Sequence, residues 1–313
     1  MRRLSLNSTK YLWLDGEFVP WAEGKIHVHT DAVLWGANVF EGLRGYWNEE
    51  RQEMYVFRLA DHLARLRDSM KMMFMSCPYS LDAIHSAALA LVRKNGFRED
   101  IHCRITAYFG SAQVGAAPTE IPVGVFIQGG ALPSKPHLKT GISCCVSSWT
   151  RISDRNSPPR IKAGANYQNS RLAHFHARND GYDTAILLNE WGKVSEAPTA
   201  CIFAVRDGTA FTPSVTSGIL ESITRATLIE LFRNELGVPV FERDIDRTEL
   251  YIADEVFLCG TGMEITPVIS VDRHQVRDGV PGSITKRIQT AYFDLVRGCN
   301  QRYSSWLTSV YAR

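Results

Sequence analysis

Apolar residues recur along this chain in two alternating periods. Between residues 11 and 19 they alternate around Asp15-Gly16, a dipeptide suited to a tight turn, which predicts a hairpin. Tyr55-Val56-Phe57-Arg58-Leu59 reads as a strand. Over residues 61–73 the spacing lengthens, so that Leu63, Leu66, Met70 and Met73 share a helical face and Asp61 stands where an N-cap belongs. Ser80 opens a second helix, with Ile84, Ala88, Leu91 and Val92 inward and Gly96 as its stop. Residues 102–108 and 123–128 predict two strands.

The stretch 129–141, rich in Gly and Pro, breaks both periods. With 313 residues, the chain is long for one core. Two domains are therefore expected: a small α/β domain over residues 1–130, a connection at 131–140, and a larger domain over 141–313. The second part predicts strands at 142–149, 185–188, 201–205 and 256–259, with a turn at Asp207-Gly208. It predicts helices at 166–178, stopped by Gly181, at 224–236, stopped by Gly237, and at 284–296, where a helix closes the chain. No internal repeat or low-complexity segment is present.

A net charge of +2 gives no support for a nucleic-acid surface. The basic start, Met1-Arg2-Arg3, leads into no apolar run of signal-peptide length, and no run approaches the roughly 20 apolar residues of a membrane helix. Seven cysteines, an odd count without a C-x-x-C pair, suit reduced thiols and a cytoplasmic enzyme. His27/His29 lack a third ligand, and His174/His176, two apart in a helical stretch, diverge, so no metal is expected.

Candidate chemistry enters with Ile161-Lys162-Ala163-Gly164-Ala165-Asn166-Tyr167 and, after a hairpin, Val194-Ser195-Glu196. Small and apolar neighbours around Lys162 would desolvate its amine and favour the neutral form. Carbonyl chemistry on pyridoxal phosphate needs such an amine and an acid partner for its pyridine nitrogen. Alone, Lys162 could be a solvated surface lysine and Glu196 a hairpin carboxylate.

The wording of these two segments resembles the class IV pyridoxal-phosphate aminotransferases, in their branched-chain amino acid branch. The likeness extends through Phe40-Glu41-Gly42, Val56-Phe57-Arg58, Arg104, Ile223-Thr224-Arg225, 253–257, Gly260-Thr261 and 264–267. It implies a two-domain fold-type IV enzyme, with a small α/β domain, a larger pseudo-barrel domain and the cofactor in the cleft between them. Lys162 would be the Schiff-base lysine and proton shuttle. Glu196 would face the pyridine nitrogen, and Tyr167 the phenolic oxygen. Arg65, Leu220, Ile223, Thr224 and Thr261 would complete the cofactor site, mostly around the phosphate. Trp35, Phe40, His102, Arg104, Thr261 and Gly262 would meet the substrate. The resemblance also implies at least a homodimer and ping-pong transfer from an L-amino acid to a 2-oxo acid such as 2-oxoglutarate.

Several positions depart from the family pattern. Trp35 and His102 stand where tyrosines are expected, Cys201 replaces an asparagine, and Glu221-Ser222 replaces Pro-Gly, adding a negative charge near the expected phosphate. Arg104 matches an arginine that receives the side-chain carboxylate of glutamate, although a structural salt bridge would satisfy it equally. Three alternatives stay open: a D-amino acid or (R)-amine aminotransferase, an aminodeoxychorismate lyase of the same fold, and a non-catalytic binding relative. The segment 110–118 and Arg104 speak for the branched-chain branch.

Overall fold

A computed structural model describes residues 9–112 and 115–312. The start at Met1–Ser8 and part of the segment 110–118 lie outside the described residues. Helices and strands contribute comparably, and the chain divides into two compact units. The first comprises Met1–Pro133, Ile161–Ala165 and Asp294–Arg313; the second comprises Ser134–Arg160 and Asn166–Phe293. Thus the Lys162 segment and the stretch from Asp294 onward group with the first unit, not with the stretch 141–313.

The first unit is built on an antiparallel sheet of seven strands. Hairpin β1 (Tyr11–Leu14) and β2 (Glu17–Pro20) turns at Asp15-Gly16, both at positive φ. A short helix, α1 (Asp31–Leu34), precedes the long strand β3 (Asn38–Asn48), then β4 (Glu53–Phe57), α2 (Leu59–Met72), α3 (Leu81–Asn95), β5 (Ile101–Phe109) and β6 (Val123–Ala131). From one edge the strands run Leu307–Ser309, β4, β3, β5, β6, β1, β2. Val123, Val125 and Ile127 are buried while Gly124, Phe126 and Gln128 are more accessible, the period-two alternation of a sheet with one covered face. On the covered face Leu43, Ile105, Val125 and Ile127 join Leu63, Leu66, Ile84 and Leu91 of the helices in one core.

The second unit contains α4 (His137–Thr140), β7 (Ile142–Val146), α5 (Tyr167–Asn179), β8 (Thr184–Ile186), β9 (Cys201–Arg206), β10 (Thr209–Thr212), α6 (Ile223–Leu231), β11 (Val240–Glu242), β12 (Glu255–Gly260), β13 (Glu264–Val271), β14 (His274–Gln275) and α7 (Ser283–Val296), the last three residues of which count with the first unit. Its mixed sheet runs β11-β10-β9-β12-β13-β7-β8, with β14 beside β13. Parallel pairs (β10/β11, β13/β7, β7/β8) lie outside the antiparallel β9, β12 and β13, an arrangement that fits the expected pseudo-barrel.

Several expectations are corrected. Helix α2 begins at Leu59 and its N-cap is Arg58, in the left-handed region; Asp61 lies in the first turn and pairs with Arg58 at 2.7 Å. Residues 129–131 pair with β5 as the end of β6, so the connection starts later. The 224–236 helix changes at Phe232 into a π-turn before Gly237. Helix α7 does not close the chain, because Leu307–Ser309 returns to pair with β4. Three residues with one strongly apolar side chain carry no readable period.

That return is fixed by a buried carboxylate. Glu53 accepts the amides of Met54, Val310 and Tyr311 on one oxygen, at 2.8, 2.9 and 2.7 Å, and that of Ala312 on the other at 2.6 Å. Bonds to an ionised acceptor contribute more than neutral ones. We expect Glu53→Gln to destabilise the first unit by about 2–3 kcal/mol, seen as a lower urea midpoint. An unchanged midpoint would show that the clamp is dispensable.

Candidate active site

In the first unit Lys162 is held by its backbone. Phe40 donates its amide to the Lys162 carbonyl (2.9 Å), and Gly164 donates to the Asn38 carbonyl (3.0 Å), so the Ile161–Ala165 segment lies along β3 as a short extra strand. The Lys162 amide donates to Ser69 Oγ on α2 at 3.2 Å. At Gly164 an added Cβ would come 2.6 Å from the Asn38 amide oxygen, so the Asn38 side chain would have to move. The half-buried Lys162 side chain places Nζ 5.1 Å from the Phe40 ring centroid.

Arg65 and His62 converge from α2 on Glu41, whose side chain is fully buried. The Arg65 guanidinium donates through Nε and Nη2 at 2.7 and 2.8 Å, and His62 Nδ1 stands at 2.7 Å. Burial raises the Glu41 carboxyl, but the Arg65 charge and hydrogen bonds, with His62, bring it down to about 2. Burial lowers His62, which is therefore neutral and donates Nδ1–H.

The opposite face of the sheet carries a second set. Strand register places Phe40, Gly42 and Arg44 opposite Thr106, Arg104 and His102 on one face. The Arg104 guanidinium lies 3.6 Å from the Phe40 ring centroid, and its Nε donates to Thr106 Oγ1 at 3.2 Å. His102 packs on Gly42, where a Cβ would meet its Nε2 at 2.9 Å. Burial, then the charges of Arg44, Arg104 and Lys162, push His102 down to about 4, so it is a neutral imidazole at neutral pH. Trp35 stands 75% exposed just after α1.

In the second unit Glu196 is the centre. Residues 187–196 form a hairpin: Leu187 donates to the Glu196 carbonyl and Ser195 to that of Leu187, both at 2.9 Å. The Glu196 side chain is buried, with Oε1 2.6 Å from Arg151 Nη2 and Oε2 accepting the Leu220 amide at 3.2 Å. The Cys201 thiol donates toward the same Oε2 and the Leu220 carbonyl, both at 3.7 Å. Burial, reinforced by the Glu196 charge, pushes Cys201 up to about 12, so it is a neutral donor.

Ser222 caps α6 by accepting the Arg225 amide, leaving Ile223 and buried Thr224 at the positive end of the helix. Thr261 and Gly262 form the turn after β12, and a Cβ on Gly262 would meet open space. Tyr167 is half-buried at the first position of α5. The Glu221 charge is paired with Arg160 at 2.8 Å on the surface. Among the described residues, no group of three or more His, Cys, Asp or Glu could hold a metal.

Sequence reasoning missed Arg151. It sits in a loop between a strand and the Lys162 segment, where no period marks a buried position. It also gave Glu41 and His62 no role, although the Phe40-Glu41-Gly42 wording contained one of them.

Known proteins match this chain over nearly all of its length. The family model Amino-transferase class IV matches residues 38–271. The branched-chain-amino-acid aminotransferase of Escherichia coli (strain K12) is 38% identical over 312 residues, covering 98% of this chain and 99% of its own. The crystal structure of a branched-chain amino acid aminotransferase from Thermobaculum terrenum in its PLP-form superposes with TM-score 0.90 at 46% identity, covering 97% and 99% of the two chains. That of a branched-chain aminotransferase from the archaeon Thermoproteus uzoniensis with norvaline gives TM-score 0.90 at 41% identity and covers 96% and 99%. The chain belongs to the class IV aminotransferases.

Proposed function

We propose that this enzyme uses pyridoxal phosphate to transfer the amino group of an L-amino acid, branched-chain or related, to a 2-oxo acid such as 2-oxoglutarate. The observation that carries this reading is Lys162, clamped by backbone between β3 and Ser69 with its amine beside Phe40. When bound, the cofactor supplies an electron-accepting ring conjugated to the carbon that exchanges nitrogen. Each unit supplies groups of the chemistry the cofactor needs: an amine at Lys162 and the Arg65 cation in the first, a carboxylate at Glu196 and the N-terminus of α6 in the second.

Lys162 would move a proton to and from the substrate α-carbon. Glu196 would hold a proton on the ring nitrogen, and Tyr167 would hydrogen-bond the phenolic oxygen. Arg65, Thr224, Thr261 and the amides of Ile223 and Thr224 would hold the phosphate. The Thr261–Gly262 turn would take the substrate α-carboxylate. Arg104, stacked on Phe40, would take an anionic side chain, with Trp35 and His102 flanking the substrate.

We assign it as a homodimer in the cytoplasm. Val28, Val33, Leu34 and Trp35, exposed by 72, 51, 49 and 75%, form a run of apolar side chains that a second copy would cover. All seven cysteines are free thiols. No helix among the described residues is long and apolar enough to cross a membrane.

His102, in place of a tyrosine, favours a second reading in which the donor is a D-amino acid or an (R)-amine. A panel of L- and D-amino acids and amines decides, scored by the absorbance change as bound pyridoxal phosphate becomes the pyridoxamine form. L-Leucine, L-isoleucine and L-valine are expected to respond. A response confined to D-amino acids or amines would overturn the first reading.

A further inference from the structure

Two side chains, Arg151 and Cys201, and the Leu220 amide meet the Glu196 carboxylate in ways a hairpin glutamate does not need. Arg151 reaches Oε1 with Nη2 at 2.6 Å, and both side chains are 7% exposed. The rest of its guanidinium is fixed: Nε donates to the Gly218 carbonyl at 3.2 Å and Nη1 to Ser170 Oγ on α5 at 3.0 Å. Its backbone amide donates to the Leu188 carbonyl at 2.8 Å, which ties it to the hairpin that carries Glu196. On the other oxygen stand the Leu220 amide and the neutral Cys201 thiol. Arg225 of α6 and Cys259 of β12 also stand in this neighbourhood. Arg225 is engaged with Thr212, the Pro213 carbonyl and Glu242, the last at 2.6 Å.

We propose that Arg151 is a positioning residue of the reaction. Its guanidinium fixes the orientation of the Glu196 carboxylate and holds it anionic, so the shared proton stays on the ring nitrogen of bound pyridoxal phosphate. This rests on the reading of Glu196 given above. A buried carboxylate without a cation gains by taking up a proton. With Glu196 facing the ring nitrogen, as that reading has it, the proton it would take up is the one on that nitrogen, because the Cys201 thiol is pushed up to about 12 and keeps its own. Without Arg151, that proton shifts from nitrogen to a Glu196 oxygen, and the ring loses the positive charge that draws electrons from the reacting carbon. Arg151 never touches substrate or cofactor in this scheme; it acts through Glu196.

The test is the 15N chemical shift of ring-labelled pyridoxal phosphate in the holoenzyme, read beside steady-state kinetics with L-leucine. Wild type is expected to show a protonated ring nitrogen. In Arg151→Met and Arg151→Gln the signal is expected to move toward the unprotonated position. At least a tenfold fall in kcat should accompany it, with KM within about threefold, since an energy of one pKa unit is a factor of ten. Arg151→Lys, which restores the charge, is expected to recover most of the shift. Folded Met or Gln variants with wild-type shift and kcat would overturn the proposal. Should neither fold, Ser170→Ala removes only the Nη1 partner and is expected to move the signal part of the way. An unmoved signal there would overturn the proposal as well. If wild type itself shows an unprotonated ring nitrogen, it is the reading of Glu196 that fails.

Discussion

Lys162→Ala is expected to lower kcat by at least about a hundredfold, since positioned proton transfer alone contributes roughly 10²–10⁴-fold. The variant should also lose the absorbance of covalently held cofactor. The geometry makes this a clean experiment. What fixes the segment are backbone atoms: the Lys162 carbonyl accepts from Phe40, and the Lys162 amide donates to Ser69. Alanine keeps both bonds and removes only the amine and its stem, so the thermal midpoint should move little. Small primary amines added to the solution are expected to restore part of the turnover. A variant with undiminished turnover would remove Lys162 from the mechanism and return the chain to the class of non-catalytic relatives.

The largest stability effect is expected from Arg65→Met. Removing one member of a buried ion pair typically costs about 3–5 kcal/mol, because a charge is left uncompensated. Glu41 has no exposed side-chain surface, and two of its hydrogen bonds come from Arg65. In the wild-type protein the Glu41 carboxyl is depressed to about 2. It therefore contributes stability that is fully present above the unfolded carboxylate range, near 4.5, and is lost as pH falls from there toward about 2. Without Arg65 the burial that opposes ionisation wins, and the carboxyl moves up instead of down. The deficit should then be full at neutral pH and shrink as pH approaches 4.5, where the unfolded chain is protonated too. Urea unfolding at pH 7 and pH 4.5 checks both the size and the trend. A deficit that grows on acidification would contradict the assignment of Glu41 as the buried anion. His62 and His102, both held low by burial, add a loss in every variant as pH falls below about 6.5, when the unfolded histidines take up protons.

How much of this was legible depended on whether a segment obeys one period. Helix α3 did, from its Ser80 cap to Gly96, and so did β6, which buries alternate residues, and the first half of β5. Strand β3, the longest in the sheet, was not visible. Glu41 and Arg44 put charges, and Gly42 and Gly45 put gaps, where a buried strand should carry apolar side chains. The Glu41 charge is met by Arg65 and His62 of α2, and the Arg44 guanidinium lies over the Tyr46 ring; the pairing of Glu41 is a fact of tertiary structure. The cap of α2 failed for a similar reason: Asp61 has the right chemistry, but left-handed Arg58 turns the chain earlier. Lys162 and Glu196 are singled out by their wording, whereas Arg151 gives no signal in sequence.

The strap that holds Lys162 has a consequence for the enzyme's motions. Active-site segments are commonly drawn from the least stable, fastest-opening parts of a protein. Here the amides of Phe40, Lys162 and Gly164 are bonded into the edge of β3 and to buried Ser69, beside the core of the first unit. Their hydrogens should exchange with solvent as slowly as those of the central strands, on the timescale of unfolding that unit. The Lys162 amine would then be the mobile tip of a side chain whose root opens only when the whole sheet does.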